Sequence, residues 1–238
     1  MAQNIENHPR VIPQLLMIIL SLALSGCSSS LGTSTRSSPF EGIITAKSFD
    51  ETGSTSMTFS IKANHFRLET AKKDNTAGAL IVDLKSGIQQ AINPQEKTYV
   101  EINLNKEIGK DDAEPPLKFM PTGKTETIAG HACEHYLFDD QQKTDMCLAK
   151  GLGYIGTADD YSGWVQQFLK DRKLDSDPEF KKLMGSGVIP LKVSIVENGQ
   201  VTTIMEVTTI ERKPLDDALF KVPADYKKIE TSVGVQQR

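Results

Sequence analysis

The sequence predicts an α+β fold: an antiparallel sheet with helices laid against one face. Three observations lead there. Apolar and polar residues alternate with period two from Met57 to Lys150 and again from Ile189 to Val207. Helical spacing is confined to the stretch between them, Tyr161 to Gly185. Short Gly-, Asn- and Asp-containing segments separate the alternating runs, as turns do.

The first strands form a hairpin. Met57, Phe59 and Ile61 alternate with polar residues, Ala63-Asn64 turns the chain, and Phe66 and Leu68 alternate again. Setting Ile61 opposite Phe66 and Phe59 opposite Leu68 gathers every apolar residue on one face, and a slip by one residue would scatter them. Further strands read Ala79–Leu84, Ile88–Ile92 and Lys97–Leu104, with turns at Ser86-Gly87 and Asn93-Pro94. His131–Phe138 and Lys143–Lys150 make another hairpin around Asp139-Asp140-Gln141-Gln142. Two helices are expected next. Tyr161, Trp164, Val165, Phe168 and Leu169 share one helical face after Asp159-Asp160, and Asp177-Pro178 is a cap followed by proline at the first helical position. Phe180, Leu183 and Met184 form the apolar face of that second helix. Ile189, Leu191, Val193 and Ile195 then run to Glu197-Asn198-Gly199, and Val201, Met205 and Val207 run back. A three-residue loop with Gly199 left-handed aligns Ile195 with Val201 and Leu191 with Met205, so a bulged turn is expected.

The ends of the chain speak about compartment. Val11 to Leu24 is an apolar run too short for a mature membrane span, which needs about 20 residues, and it has the length of a signal-peptide core. Leu24-Ser25-Gly26-Cys27 follows and matches the lipobox of bacterial lipoproteins, where the cysteine thiol takes a diacylglyceryl group and the chain is cut just before it. Residues 1–26 are therefore read as a signal peptide and Cys27 as the lipidated residue, which makes a membrane the first partner. Ser28, in place of the Asp that retains Gram-negative lipoproteins at the inner membrane, favours an outer-membrane anchor facing the periplasm; in a Gram-positive cell the location would be the cell surface. The Ser/Thr/Gly run through residue 38 is a tether with a reach of about 18 Å. Residues 39–230 form one domain of roughly 200 residues, enough for a sizeable core, and residues 231–238 are a tail.

The net charge of −4 with scattered basic residues argues against a nucleic-acid partner. No catalytic set is legible: there is no G-x-S-x-G elbow, no H-E-x-x-H helix and no phosphate-binding glycine loop. The acidic doublets Asp111-Asp112, Asp139-Asp140 and Asp216-Asp217 read as turns or helix caps. No cofactor is expected. Cys133 and Cys147 fall opposite each other if their hairpin centres on Asp140, and in an oxidising compartment they form a disulfide. The rival is a metal site from His131, Cys133, His135 and Cys147, but His131 and His135 would lie about 13 Å apart along a strand. Trp164, Phe168, Phe180 and Met184 suit first a core layer joining helices to sheet, and in this architecture the same residues can also serve as a lid over an apolar ligand pocket.

The order of short motifs resembles an uncharacterised family of bacterial exported domains grouped by fold with the carrier and receptor of lipoprotein localisation. The residues that carry it are Phe40-Glu41-Gly42, Phe66-Arg67-Leu68-Glu69, Pro94 to Tyr99, Thr122-Gly123-Lys124 through Ile128 to Tyr136, and Phe220 to Tyr226. The resemblance implies a strongly curved antiparallel sheet, a partial barrel with helices on its concave face, which in the better-known relatives accepts acyl chains. On this reading the protein is a non-catalytic envelope lipoprotein binding an apolar ligand, a lipidated protein or another envelope protein. The alternatives are a structural or interaction lipoprotein without a small-molecule ligand, and, third, a hydrolase relying on His131 or His135.

Overall fold

A computed structural model describes residues 38–71, 78–106, 116–139, 143–155 and 163–230, the side chains at 71, 164 and 165 excepted. The leader, Cys27, nearly all of the tether and the 231–238 tail lie outside the described residues, as do Asp111-Asp112, Asp140 and Asp159 to Tyr161.

Twelve strands make one sheet: β1 (Glu41–Asp50), β2 (Gly53–Lys62), β3 (His65–Ala71), β4 (Gly78–Asp83), β5 (Ile88–Asn93), β6 (Thr98–Asn103), β7 (Lys118–Ile128), β8 (His131–Asp139), β9 (Thr144–Lys150), β10 (Val188–Glu197), β11 (Gln200–Arg212) and β12 (Lys227–Lys228). Between β9 and β10 stand α1 (Gly163–Asp171) and α2 (Pro178–Gly185). The strand order is β12-β6-β5-β4-β3-β2-β1-β11-β10-β9-β8-β7. Every pairing is antiparallel except the short parallel contact of β12 with β6.

This corrects the expected fold class. The chain is mostly β, built on one large open sheet whose outer strands are β12 and β7, and not an α+β partial barrel with helices packed on a concave face. The physical reason is one of size. A helix of nine residues is about 13 Å long, whereas twelve strands spaced about 4.8 Å apart extend over about 50 Å. Two such helices can cover only part of the sheet. The rest of the core comes from the strands: Phe59, Ile61, Phe66 and Val82 from one half and Phe138, Met146, Leu148 and Val193 from the other share one buried cluster with Phe180, Leu183 and Met184.

The opposite face of β4 and β5 carries a second, smaller cluster. Ala79, Ile81 and Ile92 are buried there beneath Tyr99, Val222 and Tyr226. The C-terminal segment that covers them is tied down along β6 by Lys227 N–H to the Lys97 carbonyl (2.8 Å) and Ile229 N–H to the Tyr99 carbonyl (2.9 Å). Arg67 Nη1 donates to the Leu219 carbonyl at 3.0 Å. The Phe66–Glu69 and Phe220–Tyr226 motifs therefore meet in one structural role: a strap over the sheet.

The β2–β3 hairpin has the expected register, Phe59 opposite Leu68 and Ile61 opposite Phe66. The β10–β11 turn differs from expectation. Asn198 and Gly199, both at positive φ, make a two-residue turn that pairs Glu197 with Gln200 and Ile195 with Thr202. Such turns match the twist of the flanking strands. The mismatch of faces this creates is absorbed by a bulge that brings Val193 opposite Met205, both buried. At β1, Gly42 is obligatory: a Cβ there would overlap the Glu211 carbonyl oxygen.

A candidate binding groove beside the outer strands

The second helix begins where the sequence places it. Asp177 accepts hydrogen bonds from the N–H groups of Glu179 and Phe180, both at 2.9 Å, and Pro178 occupies the first turn. Phe180 and Met184 point into the core, each 1 % exposed. The adjoining stripe of Glu179, Lys182 and Leu183, with Ser186 just past the helix end, faces Phe119 and Pro121 of β7, Tyr136 of β8 and Lys150 of β9 across a groove of about 410 Å³. That lies within the range of about 300–1,000 Å³ usual for small-molecule pockets.

The groove has an aromatic floor. Phe119 and Tyr136 stack with ring centroids 5.0 Å apart and planes 9° from parallel, and Phe180 meets Phe119 edge-on from behind at 5.7 Å. These rings fix one another in place, so the floor is preformed. Polar groups gather at one side. Tyr136 Oη donates to Glu134 Oε2 at 2.9 Å, and Lys150 Nζ donates to the same oxygen at 2.7 Å. The Lys150 ammonium, then the Tyr136 hydroxyl, hold the Glu134 carboxyl below its usual range. Burial, aided by Glu134, raises Tyr136. For Lys150 burial is the largest single influence and acts downward, but Glu134 and Tyr136 together outweigh it and the ammonium is raised. The rim carries Lys182 and Glu179 beside the Glu134-paired Lys150, and an apolar slot with two lysines at its edge suits a molecule with an apolar body and one anionic end.

Of the residues singled out in sequence, Phe180 and Met184 form the wall behind this groove and do not line it. Phe168 is half-buried on α1, with the Arg172 guanidinium 6.0 Å from its ring centre. Trp164 belongs to α1, and its side chain lies outside the described part of the structure. Of the residues that do line it, Leu183 is expected only as part of the apolar face of the second helix and Tyr136 only as part of a family motif, and nothing in the sequence marks Phe119 or Lys150. Tyr136 and Phe138 share a face of β8, and that alternation was the available signal; Phe119 was hidden because Pro121-Thr122-Gly123 reads as a turn.

On the other face of the same strands Cys133 and Cys147 form a disulfide with a Cα–Cα distance of 5.3 Å. The register shifts from the expected one: Cys147 lies opposite His135 and the cysteines are diagonal neighbours. His135 Nδ1 is 2.8 Å from Asp145 Oδ1 and its Nε2 is 3.2 Å from Glu126 Oε2. Lys192 pairs with Glu126 at 3.1 Å and with Glu206 at 3.3 Å. His65 packs on the Phe220 ring at 5.7 Å. Neither of these histidines is hydrogen-bonded to a hydroxyl nucleophile among the described residues. No helix there is long and apolar enough to cross a membrane.

The chain belongs to a recognised family: residues 40–226 match the one described as "Domain of unknown function (DUF4412)". No curated protein sequence matches the chain. Among solved structures, an uncharacterized conserved protein from Thermus thermophilus is similar at 12% identity and a TM-score of 0.50, over 81% of this chain and 90% of that one. That likeness concerns the fold alone. MucB in the Pseudomonas aeruginosa MucA/MucB complex is similar at 11% identity and a TM-score of 0.41, over 92% of this chain and 63% of that one. PNGF-II is similar at 16% identity and a TM-score of 0.44, over 80% of this chain and 31% of that one.

Proposed function

We propose that this is an exported lipoprotein, anchored through Cys27 in the outer membrane, whose domain binds an amphiphile in the periplasm without transforming it. The observation that carries the binding reading is the groove itself: a stacked Phe119–Tyr136 floor with Lys150 and Lys182 at its sides. An acyl chain ending in a carboxylate or phosphate matches it in polarity and would place its charge between the two ammonium groups. The lipobox and Ser28 support the location, and the tether would let the domain meet lipid near the surface that holds it. A second reading, binding of an envelope protein by strand addition, is favoured by β7, whose outer edge has no partner strand among the described residues.

The test uses the domain exported with Cys27→Ala, so that it is soluble and oxidised. Native mass spectrometry and calorimetric titration with palmitate should show one bound molecule, weakened at least tenfold by Lys150→Glu and blocked by Ser186→Trp. A ligand-free mass together with no heat of binding would refute the amphiphile reading and leave the strand-addition one.

A further inference from the structure

The cluster on the opposite face from the groove has a second capacity. Glu126 pairs with Cys133 across β7 and β8, and His135 pairs with Cys147 across β8 and β9, so all four side chains share one face. One carboxylate oxygen of Glu126, one ring nitrogen of His135 and the Cys147 sulfur lie within 4.8 Å of one another. Zinc in a tetrahedral site needs its ligand atoms roughly 3.3–3.8 Å apart, so a contraction of about 1 Å suffices. The histidine is also held as zinc-bound histidines are. Its Nδ1 faces Asp145 at 2.8 Å, an outer carboxylate that fixes the ring and directs Nε2 toward Glu126.

We infer that Cys147, His135 and Glu126 form a zinc-binding site that the Cys133–Cys147 disulfide keeps closed. The closure is chemical. While Cys147 is bonded to Cys133 its sulfur carries no negative charge and is a poor ligand; as a thiolate it is a strong one. Opening requires a dithiol reductant. Its thiolate attacks one sulfur of the disulfide, its second thiol resolves the mixed disulfide, and it leaves oxidised, having passed two electrons and two protons to Cys133 and Cys147. Zinc then displaces the proton of Cys147, and the fourth position falls to the freed Cys133 or to water. Glu126, whose side chain is 37 % exposed on the outermost strand, is the point of entry; the two cysteines are 2 % and 0 % exposed. Lys192, which bridges Glu126 and Glu206, would shift onto Glu206 as the metal arrives.

The Cys133→Ser variant isolates the site, because it frees Cys147 without any reductant. Titrated with Co²⁺ as a spectroscopic stand-in for zinc, it should bind one ion and develop a thiolate-to-metal charge-transfer band that zinc bleaches. Oxidised wild-type protein should show none. In the Cys133→Ser background, His135→Ala or Glu126→Gln should weaken binding at least tenfold, and Asp145→Asn by about 10–100-fold. A second route avoids the variant: wild-type protein reduced with dithiothreitol and desalted without oxygen should take up one zinc, and Cys147→Ser should not. Folded Cys133→Ser protein with no charge-transfer band, reduced wild type with no zinc uptake, or binding untouched by His135→Ala would each overturn the proposal.

Discussion

Removing the disulfide is the perturbation whose size follows most directly from the structure. Cys133 and Cys147 are 14 residues apart in sequence. Closing a loop of this length takes about 10 cal/mol/K from the unfolded chain, or about 3 kcal/mol at 25 °C in the chain-entropy model. Both sulfurs are buried, so Cys133→Ala/Cys147→Ala also loses some packing and adds to that cost. The two strands are joined by a short connection, and any residual hairpin in the unfolded chain would subtract from it. For a domain of this size about 3 kcal/mol corresponds to a fall in Tm of about 6–12 °C. The denaturant slope should rise slightly as well, because the unlinked unfolded chain exposes more surface. The assay is thermal and urea unfolding of the exported domain, oxidised wild type against double variant, with chelator present. A Tm within about 2 °C of wild type, in protein whose disulfide is verified by peptide mapping, would refute the reasoning.

Three further outcomes follow from particular contacts. Gly42→Ala forces a Cβ into the Glu211 carbonyl and should cost about 1–3 kcal/mol or more, read by urea unfolding; an unchanged midpoint would mean that β1 and β11 do not pair as described. Phe180→Ala removes the ring behind the Phe119–Tyr136 floor and should cost about 3–5 kcal/mol. Palmitate affinity should fall with it, and a loss of stability with full affinity would dissociate the floor from binding. The Glu134–Lys150 pair has a pH signature. Glu134 is lowered in the folded state, so its contribution is present above its unfolded pKa and is lost as pH falls through the lower folded value. Lys150 is raised, so its contribution is present below its unfolded pKa and lost as pH rises through the higher folded value. The stability gap between wild type and Lys150→Met, read by urea unfolding, should therefore be widest between those limits, stay under about 1 kcal/mol because both groups are half-exposed, and close at either extreme. A gap that persists at acid pH would contradict the pairing.

What the sequence made legible was local. Alternation of Phe59, Ile61, Phe66 and Leu68 set a hairpin register, and Asp177-Pro178 set a helix start, because each is decided within a few residues. β1 and β7 were illegible for opposite reasons. In β1 two of the inward positions, Gly42 and Ala46, carry little or no side chain, so no apolar alternation shows, and at Gly42 the Glu211 carbonyl of β11 leaves no room for a Cβ. In β7 the Pro121-Thr122-Gly123 run breaks the ladder, a break that an outermost strand tolerates. Missing those two strands hid the extent of the sheet, and with it the balance between strand and helix. At Asn198-Gly199 matching of apolar faces points to a three-residue loop, but a bulge deeper in the strand, unmarked by glycine or proline, lets a two-residue turn form instead. The groove is not legible because it forms only when α2 folds back onto three consecutive strands, β7–β9, that precede it in the chain. Lys150 and Lys182 look like ordinary surface lysines until β9 and α2 are brought together.

Amphiphile binding is proposed for the groove between α2 and the outer strands. It is tested most directly by photolabelling the Cys27→Ala domain with palmitate carrying a diazirine on its chain, then mapping the modified peptides. Label should concentrate on the peptides bearing Phe119, Tyr136 and Leu183, saturate at one per molecule, and be competed by unmodified palmitate. Label scattered over the surface, or concentrated on peptides remote from α2 and β7–β9, would contradict it.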